Sequence, residues 1–324
     1  MKSSGNNNQL SKQIWYLIIL FFLFLAALSN AQIPTWIRQY GIPDRADFAF
    51  GGIVETDNGD FVVCGATLNR FPLISWDQNG YFIKINTFGD TIWTRVIGSM
   101  GLGAGPDYIL DVLINNNNEL VFTGFKYKNP SRDVWFIKYS LGGDSLIDKT
   151  IGGPLEDNGN EIIQNPDGTY MIIGDTKSFG TQNGGKDVWL LKVNQNGDTL
   201  WTRTYDFGYT DIGTGIIPFP GGNYLVTAFS ITGHWLIPPE YMGFASYFVI
   251  NSLGNVLKTI SFDEDSLTQF AAIIPTGDGG FIIAGSRSVY DIFPNRDIWV
   301  LKLNSNADTV WTKTIGTYFY YTYL

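Results

Sequence analysis

The chain has 324 residues, with 21 Lys+Arg against 30 Asp+Glu and a net charge of −9. That acidic balance excludes nucleic acid as the expected partner, because a phosphate backbone needs a basic surface. One cysteine, Cys64, excludes an intrachain disulfide, and a single histidine, His234, excludes multi-histidine metal sites and any Ser-His-Asp triad away from that residue.

Residues 1–13 are polar and carry Lys2 and Lys12 with no acid. Ile14 to Leu28 is an unbroken apolar run, followed by the small residues Ser29 and Ala31 flanking Asn30. The pattern predicts a signal peptide over 1–31, cleaved before Gln32. The run of 15 residues falls short of the ~20 a spanning helix requires, so no membrane span is expected after cleavage. Loss of Lys2 and Lys12 takes the net charge from −9 to −11. The expected location is secreted or at the cell surface.

From Trp36 onward the chain repeats itself. A lysine recurs in "FIKIN" (Lys84), "FIKYS" (Lys138), "LLKVN" (Lys192) and "VLKLN" (Lys302), with Val249 in its place in the fourth unit. A tryptophan on the next segment recurs at Trp93, Trp201 and Trp311, with Ile147 and Lys258 in the two remaining units. Each unit reads as four strands. The first is an apolar run ("GGIVET", "DVLI", "NEIIQ", "TGIIP", "AAIIP") and a tight turn leads to the second ("FVVCG" in the first unit, which makes Cys64 a buried small hydrophobe). A longer loop leads to the lysine strand, and a short turn to the tryptophan strand. No segment shows a sustained helical period. Four strands per tandem unit of this length predict an all-β propeller of four-stranded antiparallel blades over residues 32–316, with five full repeats. Stacking of the blades buries both faces of each sheet, and the recurrent tryptophans are expected to wedge between them.

Trp36 to Tyr40 reads as an orphan fourth strand, and residues 317–324 as a tail or the start of a sixth repeat. The expectation is a truncated or atypical array rather than a closed ring of five.

The stretch "DGGFIIAGSRS…RDIWVLKLNSNADTVWTKTIG" resembles the repeat of secreted bacterial β-propeller proteins. The resemblance covers Trp36 to Gly316. It implies the propeller fold and export; many such proteins end in a C-terminal sorting domain, and no such domain is evident here. Members of that family are mostly uncharacterised, so it implies no particular activity.

Alternation of strands places the short 1–2 and 3–4 turns on one face and the longer 2–3 and 4–1 loops on the other, where binding residues are expected. The two largest 2–3 loops carry Phe71, Trp76, His234, Trp235 and Tyr241, aromatics suited to gripping a glycan or a protein, or to covering a blade edge. Asp47, Asp107, Asp157, Asp211 and Asp265 stand near the start of the five innermost strands. They offer either a Ca²⁺ site at the channel mouth or acceptors for turn amides, and their uneven register favours the turns. Asp133, Asp187 and Asp297, ahead of the third strands, read as turn caps. No phosphate-binding or dinucleotide motif appears. The function expected is a non-catalytic binding or surface-display module without a cofactor other than Ca²⁺; the alternative is a glycoside hydrolase or related carbohydrate-active enzyme using two carboxylates.

Overall fold

The computed structural model describes residues 37–43, 45–69, 78–99, 105–181, 184–231, 243–262, 266–289 and 297–316. The chain divides into two compact units, 1–40 and 41–324. Of the first unit only residues 37–40 are described, and they form no strand. The orphan strand expected there is therefore not made by these residues.

Every described regular element is a strand, and the twenty strands form five four-stranded antiparallel sheets. Blade I contains β1 (Arg45–Glu55), β2 (Phe61–Asn69), β3 (Gln78–Ile85) and β4 (Thr91–Ile97). Blade II contains β5 (Tyr108–Ile114), β6 (Glu119–Lys128), β7 (Ser131–Ser140) and β8 (Ser145–Ile151). Blade III contains β9 (Asp157–Gln164), β10 (Tyr170–Thr176), β11 (Asp187–Val193) and β12 (Thr199–Tyr205). Blade IV contains β13 (Thr210–Phe219), β14 (Asn223–Ile231), β15 (Gly243–Ile250) and β16 (Val256–Ser261). Blade V contains β17 (Ser266–Pro275), β18 (Phe281–Val289), β19 (Asp297–Leu303) and β20 (Thr309–Ile315). Strand order follows chain order in every blade. The innermost strands β1, β5, β9, β13 and β17 pack in sequence, each against the next. The unit is an all-β propeller array.

The core lies between blades. Period-two alternation sends one set of side chains of a strand to the preceding blade and the other set to the following blade. In β11, Trp189, Leu191 and Val193 pack toward blade II, while Val188 and Leu190 pack toward blade IV. Trp135 and Trp189 are fully buried in these layers, each contributing on the order of 3 kcal/mol through removal of ring surface from water. Cys64 is buried in the layer between blades I and II, and that burial, with the nearby Asp111 charge, pushes its thiol pKa far up. It is an inert packing residue, as its setting in "FVVCG" predicts.

Nine of the ten short turns share one geometry, in which the first residue's N–H binds the carbonyl four residues on and its own carbonyl accepts from the residue three on. That third position takes positive φ, and it is glycine in seven turns, Asn118 and Ala307 in the others. The tenth, between β13 and β14, is a tighter turn on Gly221 and Gly222, both at positive φ. One long loop expected from the sequence is absent. β6 and β7 pair out to Lys128 and Ser131, so only Asn129 and Pro130 connect them.

The recurrent lysine and tryptophan have separate partners. Lys84 binds Asp60 at 3.1 Å, Lys138 binds Glu119 at 2.5 Å, Lys192 binds Asp167 at 3.2 Å and Lys302 binds Asp278 at 2.7 Å. In each case the lysine of the third strand ties down the 1–2 turn of its own blade. Blade IV has neither half of the pair: Val249 replaces the lysine and Asn223 stands in the turn. Trp93 reaches the next blade instead, donating from Nε1 to the Leu141 carbonyl at 3.3 Å, with the Arg95 guanidinium over its ring.

Candidate functional site

The site begins at the blade that breaks the pattern. Without a lysine to hold it, the β13–β14 turn of blade IV stands beside the corresponding turns of blades II and III. Between them lies a cavity of about 480 Å³. Asn116, Gln164, Asn165 and Asn223 supply amides to its lining, Phe219 and Tyr224 supply rings, and Pro166, Pro218 and Gly222 complete it. None of these nine residues carries a charge.

Local hydrogen bonds fix the lining in place. Gln164 Oε1 accepts from the Asn116 backbone N–H at 2.9 Å. Tyr224 donates its hydroxyl to Asn165 Oδ1 at 2.7 Å, and Asn165 Nδ2 donates to Thr169 at 2.9 Å. Asn223 Nδ2 donates to the Pro220 carbonyl at 2.9 Å, holding the turn closed. Phe219 is stacked on Phe281 with centroids 5.5 Å apart. A concave surface of fixed amides beside rings, without charge, suits a neutral ligand with many hydroxyls.

A second group lies at the innermost strands. One position, immediately before the apolar pair, is Gly52, Asp111, Glu161, Gly215 and Ala272 in blades I to V. Asp111 accepts the Ile162 amide of blade III at 3.0 Å, and Glu161 accepts the Ile216 amide of blade IV at 3.3 Å. Innermost strands have no sheet neighbour on that side, so these carboxylates satisfy amides that a ladder would otherwise pair. Gly215 makes room: a Cβ there would come within 3.2 Å of Glu161 Oε2. Burial raises the Asp111 pKa to about 6, and burial together with the Asp111 charge raises that of Glu161 to about 8.

The aspartates singled out in the sequence fall into register. Asp47, Asp107, Asp157 and Asp211 occupy one equivalent position, two residues before the inner-strand bulge, and the fifth residue in that position is Thr268. Asp265 lies outside the described residues. Each of the four accepts loop amides: Asp47 from Ile42 at 2.8 Å, Asp107 from Ser99 and Tyr127 at 2.5 and 2.6 Å, Asp157 from Gly153 at 2.7 Å, and Asp211 from Phe207 and Gly208 at 2.8 and 3.1 Å. This is the turn-acceptor arrangement. Asp187 likewise accepts from the Thr181 amide at 2.6 Å, while Asp133 pairs with Lys128 at 3.0 Å.

Blade III to IV adds one feature. Carboxylate oxygens of Asp187, Asp206 and Asp211 lie within 4.8 Å of one another, with Asp206 exposed and the other two buried. Burial raises the pKa of Asp211 to about 6 and that of Asp187 above its usual value, and the Asp206 charge adds to both. Among the described residues these three could hold a hard cation. Phe71, Trp76, His234, Trp235 and Tyr241 lie outside the described residues.

The sequence reading missed both the amide-lined cavity and the Asp111–Glu161 pair. The pair was visible as a column, since the aligned strands "GGIVET", "DVLI", "NEIIQ", "TGIIP" and "AAIIP" place Asp111 and Glu161 where the other blades have Gly or Ala. The cavity had a fainter signal in the joint loss of lysine and turn acid in blade IV.

No family model matches the chain, and no curated protein matches it. Solved structures do. A thermostable family-43 glycoside hydrolase aligns with a TM-score of 0.47 at 12% identity, over 84% of this chain and 94% of that one. Cobalt-substituted Synechocystis ACO aligns at 0.46 and 10%, over 80% and 59%. Xylan beta-1,4-xylosidase from Bacillus Halodurans C-125 aligns at 0.43 and 12%, over 84% and 56%. The chain thus spans less than three fifths of the length of the last two.

Proposed function

We propose that this chain is an exported, non-catalytic propeller module that binds a neutral glycan in the cavity formed by the turns of blades II, III and IV. The observation that carries the reading is the lining itself: four side-chain amides and two rings, with no carboxylate and no cation. Amides match vicinal hydroxyls as paired donors and acceptors, and rings cover the apolar face of a sugar. The site lies on the short-turn face, opposite the long-loop face that sequence reasoning favoured. Export rests on the signal-peptide pattern of residues 1–31. A glycan array followed by calorimetric titration tests the proposal. Binding that weakens at least tenfold in Asn223→Ala and Gln164→Ala supports it; binding unchanged in both contradicts it.

A second reading, a carbohydrate-active enzyme, is favoured by the Asp111–Glu161 pair. Burial raises the pKa of both carboxyls, and the Asp111 charge raises that of Glu161 further, the kind of separation that glycoside hydrolysis uses. Against it, each carboxylate already accepts an amide of the next blade. Turnover of aryl glycosides that vanishes in Glu161→Gln would establish this reading in place of the first.

A further inference from the structure

On the long-loop face, each junction between blades brings two equivalent positions together. One lies near the start of a third strand and the other on the innermost strand of the following blade. The pairs are Asn79 with Asp107, Asp133 with Asp157, Asp187 with Asp211, and Ala245 with Thr268. Three of the four are balanced in charge or carry little of it. Asn79 is a neutral amide, Asp133 is paired with Lys128 at 3.0 Å, and Thr268 accepts the Ala245 backbone N–H at 2.8 Å. The junction of blades III and IV is different, because Asp187 and Asp211 are both acids and no cation answers them. Lys186, next to Asp187 in the chain, turns to Asp175 at 2.8 Å instead. Among the described residues neither Asp187 nor Asp211 forms an ion pair.

The same junction gains a third acid. The residue directly after the fourth strand is Gly98, Gly152 and Gly316 in blades I, II and V and Phe262 in blade IV, but in blade III it is Asp206. Its charge adds to burial in raising the pKa of both Asp187 and Asp211. A separate observation concerns two buried oxygens. Asp211 and Ser230 stand opposite each other in the β13–β14 ladder, and both are fully buried. Asp211 Oδ2 accepts the Phe207 and Gly208 backbone N–H groups. Asp211 Oδ1 and Ser230 Oγ make no hydrogen bond, although the hydroxyl is near enough to ease ionisation of the acid. In blade III the counterpart hydroxyl, that of Thr176, does donate to Asp157 Oδ1, at 2.5 Å. A buried carboxylate oxygen without a donor is costly, and a cation is what relieves it.

We propose that Asp187, Asp206 and Asp211, with the Ser230 hydroxyl beside Asp211, form a Ca²⁺ site that ties blade III to blade IV. Carboxylate oxygens within 4.8 Å of one another can share one ion at the ~2.3–2.6 Å of a calcium–oxygen contact after small side-chain rotations. The donors are all oxygen, a hard set that suits Ca²⁺ and not a metal that prefers sulfur or imidazole. Ca²⁺ fits better than Mg²⁺, which demands a near-ideal octahedron at shorter distances. The Thr181, Phe207 and Gly208 backbone N–H groups hold Asp187 and Asp211 in place and leave lone pairs for the ion. Asp206 is exposed, so water has access to complete the coordination. Asp187 and Asp206 belong to blade III and Asp211 and Ser230 to blade IV, so one ion replaces mutual repulsion with a bridge. The site lies on the face opposite the amide-lined cavity and does not depend on it.

The test is calorimetric titration of CaCl₂ into the purified chain after treatment with chelator, at physiological ionic strength so that diffuse attraction to an acidic surface is screened. The expected result is saturable binding of a single Ca²⁺ with Kd of roughly 0.1–1 mM, the range of extracellular modules, and binding of Mg²⁺ roughly tenfold weaker or more. Asp206→Asn removes an exposed ligand and should weaken Ca²⁺ binding roughly tenfold or more, while Ser230→Ala should weaken it several-fold. Circular dichroism shows that the variants fold, and if one does not, the other carries the comparison. A wild-type chain that binds no Ca²⁺ up to roughly 10 mM, well beyond that range, would overturn the proposal. Undiminished Ca²⁺ binding in a folded Asp206→Asn or Ser230→Ala chain, or Mg²⁺ binding as tight as Ca²⁺, would overturn it as well.

Discussion

Asp111 and Glu161 occupy the same position on neighbouring innermost strands, and each accepts an amide from the blade that follows it. The price of that arrangement is two carboxyls held away from water, with the Asp111 charge also acting on Glu161, which favours their protonated forms.

A pH dependence of stability follows. Both acids have folded-state pKa values above their unfolded ones, so the folded chain holds protons more tightly than the unfolded chain. Their stabilisation is complete below about pH 4, where both states are protonated. It declines as pH rises through about 6 for Asp111 and about 8 for Glu161, and then levels. Glu161→Gln keeps an oxygen for the Ile216 amide and removes the titration. Urea denaturation should show the variant more stable than wild type by on the order of 1–3 kcal/mol at about pH 9, and nearly equal at about pH 4.

The repeated lysine should matter in proportion to its burial. Lys138 is nearly buried against Glu119, and burial of Glu119 is outweighed by its bonds to Lys138 and Asn115, which hold its pKa below the usual value. Lys138→Ala should cost about 2–4 kcal/mol in chemical denaturation, through an unpaired acid and lost packing of the aliphatic stem. Lys302→Ala, whose partner Asp278 is exposed, should change the midpoint little.

Turn geometry gives a third prediction. Gly143 has φ +86°, and a Cβ there would lie 2.7 Å from Arg95 Nη2 and 3.2 Å from the Trp93 ring. Gly143→Ala should therefore destabilise by about 1–3 kcal/mol, from both backbone strain and displacement of the tryptophan wedge. The same turn in blade V tolerates Ala307 at φ 56°, where Lys258 stands in place of the tryptophan and donates to the Ala307 carbonyl at 2.6 Å.

The Asp187–Asp206–Asp211 group should respond to a hard cation. Millimolar Ca²⁺ is expected to raise the melting temperature of the wild type and to leave Asp206→Asn unchanged, with chelator reversing the shift. Identical shifts in both proteins would place any cation elsewhere.

Much of this fold was written in the sequence. Lys84, Lys138, Lys192 and Lys302 mark the third strands, and Trp93, Trp201 and Trp311 the fourth, because every blade must solve the same packing problem with the same local chemistry. The turn-acceptor role of Asp47, Asp107, Asp157 and Asp211 was likewise readable from residue type. Thr268 was not, since a hydroxyl in place of a carboxylate breaks the pattern a reader follows. The two-residue connection at Asn129 and Pro130 was missed because extension of β6 and β7 depends on pairing across the hairpin. The cavity was least legible. It is made by turns from three blades, with Asn116 and Asn223 more than a hundred positions apart, and no local pattern announces such a meeting.

The account stands most directly on where a sugar binds. A crystal structure of the chain with an oligosaccharide taken from the array should place the ligand among Asn116, Gln164, Asn223 and Phe219, in contact with the side-chain amides. Density for the sugar on the long-loop face, or against Asp111 and Glu161 on the innermost strands, would contradict it.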